Sequence, residues 1–202
     1  MTTIVKFNAQ ELRDAVAIIN KVKDDAGRLT QVIFLTISGN SAYLFATNLW
    51  EISIHVKLRC SKKGNNCEVA IYKKMILDII KEIEGDYVIF EIDGADITVR
   101  DEEDNVFELT AETDIEFGMI EPEDIPLEPV STRELMMELN RVIRTSSRRV
   151  DRDVLPITPE AARFLIQALN ILKKGSVKFG IGDKNIAVEV GNYLIEIRYK
   201  RW

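Results

Sequence analysis

Glu91-Ile92-Asp93-Gly94-Ala95-Asp96-Ile97-Thr98-Val99 and Gly180-Ile181-Gly182-Asp183-Lys184-Asn185-Ile186-Ala187-Val188 are two turns built to one plan. In each, a polar turn containing glycine or asparagine joins two runs of β-forming residues. The flanks agree as well. Val69-Ala70-Ile71-Tyr72, a helical stripe ending at Ile83 and Gly85 precede the first turn, and strand patterns continue from Tyr87 to Thr110. Val154-Leu155-Pro156-Ile157, a helix to about Lys174 and Gly175 precede the second, and strand patterns continue from Ser176 to Tyr199. Strand, helix and three strands therefore occur twice, which marks an internal repeat.

Each copy is preceded by a further helix. The first is expected over 8–26, with Asn8 as its cap, Glu11 three residues on, and Leu12, Ala15, Val16, Ile19 and Val22 on one face. The second is expected over about 131–149, with Leu135, Met136, Leu139, Val142 and Ile143 as its stripe. Thr158-Pro159-Glu160 predicts a sharp start to the last helix, threonine as cap and proline at the first helical position. The second unit is the shorter. Four strand-like segments, 31–38, 41–47, 50–59 and 68–71, separate the two helices of the first unit, but only 154–157 separates those of the second. The expected organisation is an α+β chain with antiparallel sheets backing pairs of helices. Residues 1–120 form a complete unit, 121–129 an acidic connector carrying Pro122, Pro126 and Pro129, and 130–202 a shortened unit.

The net charge of −6 hides an uneven distribution. Residues 101–128 hold twelve acids and no base, whereas 131–202 hold fourteen bases against eight acids. An acidic protein can still present a basic face, and phosphates respond to the local face. The bases gather on helices. Arg133, Arg141, Arg144 and Arg148 fall on one side of the third, extended by Arg149 and Arg152. Arg163, Gln167, Asn170 and Lys174 share a side of the fourth, Lys73, Lys74 and Lys81 lie on the second, and Arg13, Asn20, Lys21 and Lys23 on the first.

Other chemistry is sparse. There is no phosphate-binding glycine loop of the GxxxxGK[ST] or GxGxxG kind. His55 is the single histidine, in an alternating strand, and with Cys60 and Cys67 it falls short of the roughly four ligands of a structural zinc site. The cysteines read as plain thiols of a reducing compartment. No window reaches the roughly 18 apolar residues of a membrane span, and the N-terminus lacks the pattern of a signal peptide. The expectation is a cytoplasmic, nucleoid-associated protein without cofactor, metal site or catalytic residues.

The repeat plan, with Phe45-Ala46-Thr47-Asn48-Leu49-Trp50-Glu51-Ile52, Val69–Leu77 and Asp151–Tyr199, resembles the bacterial DNA sliding clamp, the beta subunit of DNA polymerase III. That resemblance implies a clamp fold whose helices face duplex DNA through the phosphate backbone. It also implies a non-enzymatic processivity role, with a DNA polymerase and clamp loader subunits as partners. The DNA-contacting set it implies is Arg13, Lys21, Lys73, Lys74, Lys81, Arg141, Arg144, Arg148, Arg149, Arg163, Gln167 and Lys174. Clamp rings hold about twelve inner helices, so four per chain imply a homo-oligomer, with a trimeric ring as the arithmetic match. The sequence departs from the family in having at most two units and in missing the middle strands of the second. That departure supports an alternative, a clamp-like adaptor or decoy that binds replication proteins without forming a ring.

Overall fold

The chain starts as expected: β1 (Thr3–Asn8) runs straight into α1 (Ala9–Ile19), and the Asn8 side chain accepts a hydrogen bond from the Glu11 backbone N–H at 2.9 Å. The structure, a computed structural model, describes residues 2–22, 28–49, 51–113, 115, 124–145, 155–172 and 176–198. A short 3-10 turn, Arg28–Gln31, leads to β2 (Val32–Ser38), β3 (Ser41–Thr47), the long β4 (Ile52–Lys63) and β5 (Cys67–Tyr72). Then come α2 (Lys73–Glu82), β6 (Tyr87–Asp93), β7 (Asp96–Asp101) and β8 (Val106–Thr110). The second unit consists of β9 (Glu128–Val130), α3 (Thr132–Thr145), α4 (Pro159–Leu172), β10 (Val177–Ile181), β11 (Asn185–Val190) and β12 (Tyr193–Arg198).

Among the described residues every strand pair is antiparallel, and the strands connect into one sheet. Its main path is β8-β7-β6-β1-β4-β12-β11-β10-β9, with β5-β2-β3 joining at β4. The first unit shows the repeat in its pairings: β1 pairs with β6, the first strand after α2, and β5 pairs with β2, the first strand after α1. In the second unit β9 likewise pairs with β10, the first strand after α4. The two units join where β12 pairs with residues 52–56 of β4.

The larger apolar core among the described residues lies under the helices and is continuous from β1 to β12. It includes Val5, Phe7, Leu12, Ile18, Ile54, Phe90, Leu139, Leu165 and Ile195, and Phe7 and Phe90 meet edge to face with centroids 5.3 Å apart. Val32, Phe34, Phe45 and Ala70 form a smaller cluster with Leu29, Tyr72 and Ile115. Glu112 bridges to Ala70 at the edge of β5, donating its N–H to the Ala70 carbonyl at 2.8 Å.

Two expectations need correction. The strand expected over 154–157 is not formed at 155–157, where the Ile157 N–H turns back to the Leu155 carbonyl at 2.8 Å; Val154 lies outside the described residues. In the first unit the strand before α2 is held by β2. Among the described residues the second unit shows no counterpart of β2, so 155–157 has no ladder to join there. Conversely, Glu128–Val130 is β9, a strand inside the stretch read as connector and unit boundary. Its pairing with β10 supplies a stability that its local sequence does not advertise.

Gly180 has a tertiary role. A Cβ there would sit 2.4 Å from the Pro126 carbonyl oxygen and 2.7 Å from an Ile125 methyl, so 125–127 lies tightly across β10. The contact is with backbone and cannot swing away. Gly180→Ala is expected to cost about 1–3 kcal/mol as the segment is pushed off, read as a lower urea midpoint with unchanged slope.

Asp101 organises the turn after β7. Its carboxylate accepts from the Glu84 N–H at 2.8 Å, the Glu103 N–H at 3.0 Å, and the Asn105 N–H and Nδ2, both at 2.9 Å. Burial by itself would raise the carboxyl pKa, but these donors outweigh it, Asn105 foremost, and the net shift is downward. The stabilisation is therefore complete above the ordinary aspartate range, about 3.9, and disappears as pH falls through the lowered folded-state value. Asp101→Ala strands buried donors and should cost roughly 1–3 kcal/mol at neutral pH. Chemical denaturation across pH 2–7 should show the gap to wild type closing in acid.

Candidate nucleic-acid interface

Four helices are placed by the sheet beneath them. α1 lies against both α2 and α4, and α4 lies against α3, giving the order α2-α1-α4-α3. Each turns a narrow apolar stripe to the core: Leu135, Leu139 and Val142 on α3, and Ala161, Ala162, Phe164, Leu165, Ala168 and Leu169 on α4. The alanines of α4 let it sit close to its neighbours. The opposite faces are exposed and carry most of the charge.

The sequence-predicted contact set divides on this scaffold. Lys74, Lys81, Arg141, Arg144, Arg163 and Gln167 are exposed on helix faces, and Lys21 is exposed just beyond α1. Arg133 and Asn170, read from the same stripes, are exposed too. Arg13 is half-buried and donates through Nη2 to the Ile83 carbonyl at 2.8 Å, which caps the end of α2. Lys73 is only 3% exposed, and its ammonium reaches the Val22 carbonyl at 3.3 Å. It ties the end of the first helical segment to the start of α2 and is not available to a phosphate; helical spacing could not show which flank of α2 is covered. Arg148, Arg149 and Lys174 lie outside the described residues.

A feature that charge counting passed over is the pairing of these bases. Lys81 meets Asp78 at 3.0 Å, Arg141 meets Glu138 at 3.9 Å and Arg163 meets Glu160 at 3.6 Å, each acid three residues before its base. All are solvent-exposed, and such helical pairs contribute only about 0.2–0.5 kcal/mol. A phosphate can displace the carboxylate cheaply. The acids nevertheless remain on the face, with Glu82 and Glu134 beside them, so the described helical surface is mixed in charge.

The Phe45–Ile52 stretch turns out to be a joint between the units. The Asn48 side chain accepts from the N–H groups of Glu51 and Ile52 at 2.9 and 2.8 Å, and Thr47 Oγ1 accepts from the Leu49 N–H at 2.9 Å. This holds Leu49 in the left-handed region, at φ 67°. The loop then reaches across. The Glu51 carboxylate accepts from the Thr158 N–H at 3.3 Å, at the start of α4, and the Glu51 carbonyl accepts from the Arg198 N–H at 2.8 Å. Thr158 Oγ1 in turn caps α4 through the Ala161 N–H at 3.1 Å.

A buried polar chain crosses the same joint. His55 Nε2 on β4 lies 3.1 Å from the carboxylate of Glu196 on β12, and Asn185 Nδ2 on β11 donates to the other Glu196 oxygen at 3.4 Å. The His55 ring also packs on Phe45, with centroids 4.7 Å apart. The lone histidine is thus a structural partner of a carboxylate that is 6% exposed. Among the described residues, no group of three or more histidines, cysteines or acids is arranged to hold a metal ion. On the core side of β12, burial pushes the Tyr193 phenol above its ordinary pKa, reinforced by the carboxylates of Asp14 and Glu11 on α1.

Removing Glu196 leaves His55 and Asn185 facing a void. Glu196→Ala is expected to cost about 1–3 kcal/mol, and Glu196→Gln to restore most of the loss. Thermal unfolding of both variants checks this; equal midpoints would show that the carboxylate position is not part of the joint.

No protein-family model matches the sequence, and no curated protein matches it. Solved structures do match its fold. The DNA polymerase III beta subunit from Thermotoga maritima superposes with a TM-score of 0.80 at 12% identity, over 98% of this chain and 64% of that one. The DNA polymerase sliding clamp from Bacillus subtilis gives 0.79 at 12% identity, over 100% and 66%. The DNA polymerase III beta chain from Streptococcus pneumoniae gives 0.80 at 11%, again over 100% and 66%. The chain spans about two thirds of the length of these proteins. With its helices side by side on a continuous antiparallel sheet, it has the fold of the DNA polymerase III beta sliding clamps.

Proposed function

We propose that this chain is a clamp-like protein that holds duplex DNA non-specifically through its helical face and tethers a DNA polymerase to it. The observation that carries this reading is the row α2-α1-α4-α3 on one face of one sheet, with Lys74, Arg141, Arg144 and Arg163 exposed along it. Contacts of that kind address phosphates and carry no sequence information. The interleaved acids set the expected strength: weak binding that disappears at modest salt. The fold is shared with proteins known as sliding clamps, which supports a polymerase and clamp loader subunits as partners. No described helix is long and apolar enough to cross a membrane, and the reading places the protein in the cytoplasm with the nucleoid. Self-association belongs to the reading, because one chain brings four described α-helices to the DNA.

The second reading, an adaptor or decoy that binds replication proteins without enclosing DNA, is favoured by the shortness of the sequence between α3 and α4, thirteen residues against fifty-three between α1 and α2. The two are separated by DNA binding itself.

Fluorescence anisotropy with a labelled duplex should show binding that is indifferent to sequence and falls linearly in log–log terms with salt. Each neutralised phosphate contributes a slope of about −0.9. Replacing Arg141, Arg144 and Arg148 by alanine should flatten the slope by roughly two to three while thermal stability stays unchanged. Lys73→Ala should do the reverse, lowering stability and leaving the slope alone. Absence of any duplex binding at low salt would reject the DNA reading in favour of the adaptor.

A further inference from the structure

We infer that the side of the sheet away from the helices carries a second nucleic-acid site, a row of four cations that takes the phosphate backbone of single-stranded DNA. The inference goes beyond the proposed function and does not rest on duplex binding by the helices.

The row follows from alternation. β4 sends Ile52, Ile54, Val56 and Leu58 into the core, so Lys57, Arg59, Ser61 and Lys63 project to the opposite side, and all four are exposed. β1 continues the pattern where it pairs with β4. Lys6, exposed between the buried Val5 and Phe7, stands directly opposite Ser61. Lys57, Arg59, Lys6 and Lys63 therefore follow one another at steps of two residues, about 7 Å each. Positive charges at that even spacing form a track that one phosphodiester backbone can follow.

These bases differ from those of the helices in their surroundings. Among the described residues none of the four is ion-paired, whereas Lys81, Arg141 and Arg163 each meet an acid three residues earlier. Acids that share this face of the sheet are occupied or distant. Glu91, two strands from Lys63 through Ile4, meets Arg100 at 3.8 Å, and Glu196 meets His55 at 3.1 Å. Glu68 is in line with Lys57 but three strands away, through Thr36 and Tyr43. That is about 14 Å, well outside the roughly 8 Å Debye length at physiological salt. The row is thus a surface of one sign on a chain whose net charge is −6.

Two half-buried tyrosines border the row. Tyr43 on β3 stands opposite Lys57, whose Nζ lies 5.6 Å from the ring centroid. Tyr87 on β6 takes the Lys6 Nζ at 3.3 Å from its centroid. Each ring holds an ammonium over its face. When a phosphate draws the ammonium away, the vacated face can stack on a base, which an unpaired strand offers and an intact duplex does not. That selects the single strand over the duplex. An anionic membrane fits less well, because none of the exposed large apolar side chains described stands in the row to insert.

Fluorescence anisotropy with a short labelled oligothymidylate should show salt-sensitive binding. Lys57→Gln, Arg59→Gln and Lys63→Gln together remove charge but keep long side chains on the strand. They should reduce the log–log salt slope by roughly two, at about 0.7 for each phosphate neutralised on a single strand. Tyr43→Leu should weaken binding about fivefold or more, the loss of one stacked base. Circular dichroism and the unfolding midpoint show whether each variant is folded. Lys6→Gln, on a different strand, should by itself lower the slope by about 0.7 and keeps the test open if the triple variant does not fold. No oligothymidylate binding at low salt, a slope that folded triple and Lys6→Gln variants keep, or full affinity in folded Tyr43→Leu would each overturn the inference. Retention on phosphatidylcholine vesicles containing phosphatidylserine, with no oligothymidylate binding, would overturn it in favour of a membrane surface. Arg141→Ala with Arg144→Ala should leave the oligothymidylate slope as it is, and a slope that falls with that pair instead would move the single strand to the helices and overturn the outer site. Duplex anisotropy on the same samples keeps the two proposals apart: oligothymidylate binding without duplex binding sinks only the helical reading, and the reverse sinks only the outer row.

Discussion

β4 is the strand on which everything else hangs. It is twelve residues long and satisfies its backbone with three different strands: β3 along residues 53–59, β12 along 52–56 and β1 along 60–63. Residues 52–58 alternate strictly, Ile52, Ile54, Val56 and Leu58 toward the core and Ser53, His55 and Lys57 away from it. A register slip of one residue would turn that set to the opposite face and break its match to β3 and β12 together. The strand therefore fixes the complete unit, the shortened unit and their mutual placement in one hydrogen-bonded element. α1 and α4 come to lie side by side because the strands beneath them are already paired.

The joint is reinforced with polar groups whose positions are set by that ladder. Glu51 reaches the start of α4, Arg198 returns to Glu51, and Glu196 is satisfied from β4 and from β11. A buried carboxylate is costly unless it is hydrogen-bonded, so the trio of His55, Glu196 and Asn185 favours this register over its alternatives. β10, β11 and β12 belong to the same sheet because β12 takes an edge of β4.

Much of the candidate interface could be read from the residues. Exposed positions on an amphipathic helix follow from a period of 3.6, and Lys74, Lys81, Arg141, Arg144 and Arg163 stand where that period puts them. Lys73 and Arg13 do not behave as the period suggests, because each lies on a flank that a neighbouring helical segment covers. Which flank is covered depends on where the sheet sets the helices, information that a single helix does not contain. The acid–base pairs at a spacing of three were legible in the sequence, and they temper the basic stripes with carboxylates at the same surface.

By itself the sequence determined the type of most elements, the antiparallel sheet class and the resemblance to clamps, because helix and strand periods, caps and turns are local properties. It did not determine the strand at Glu128–Val130, the absence of one at 155–157, or the role of Gly180 as a seat for 125–127. Each of these rests on whether a distant segment offers a hydrogen-bonding edge or a close backbone approach. Only the tertiary structure decided that β4 accepts β12, and with it the placement of the helices, since pairing between strands 137 or more residues apart is set by which edges remain open once the rest of the sheet has formed.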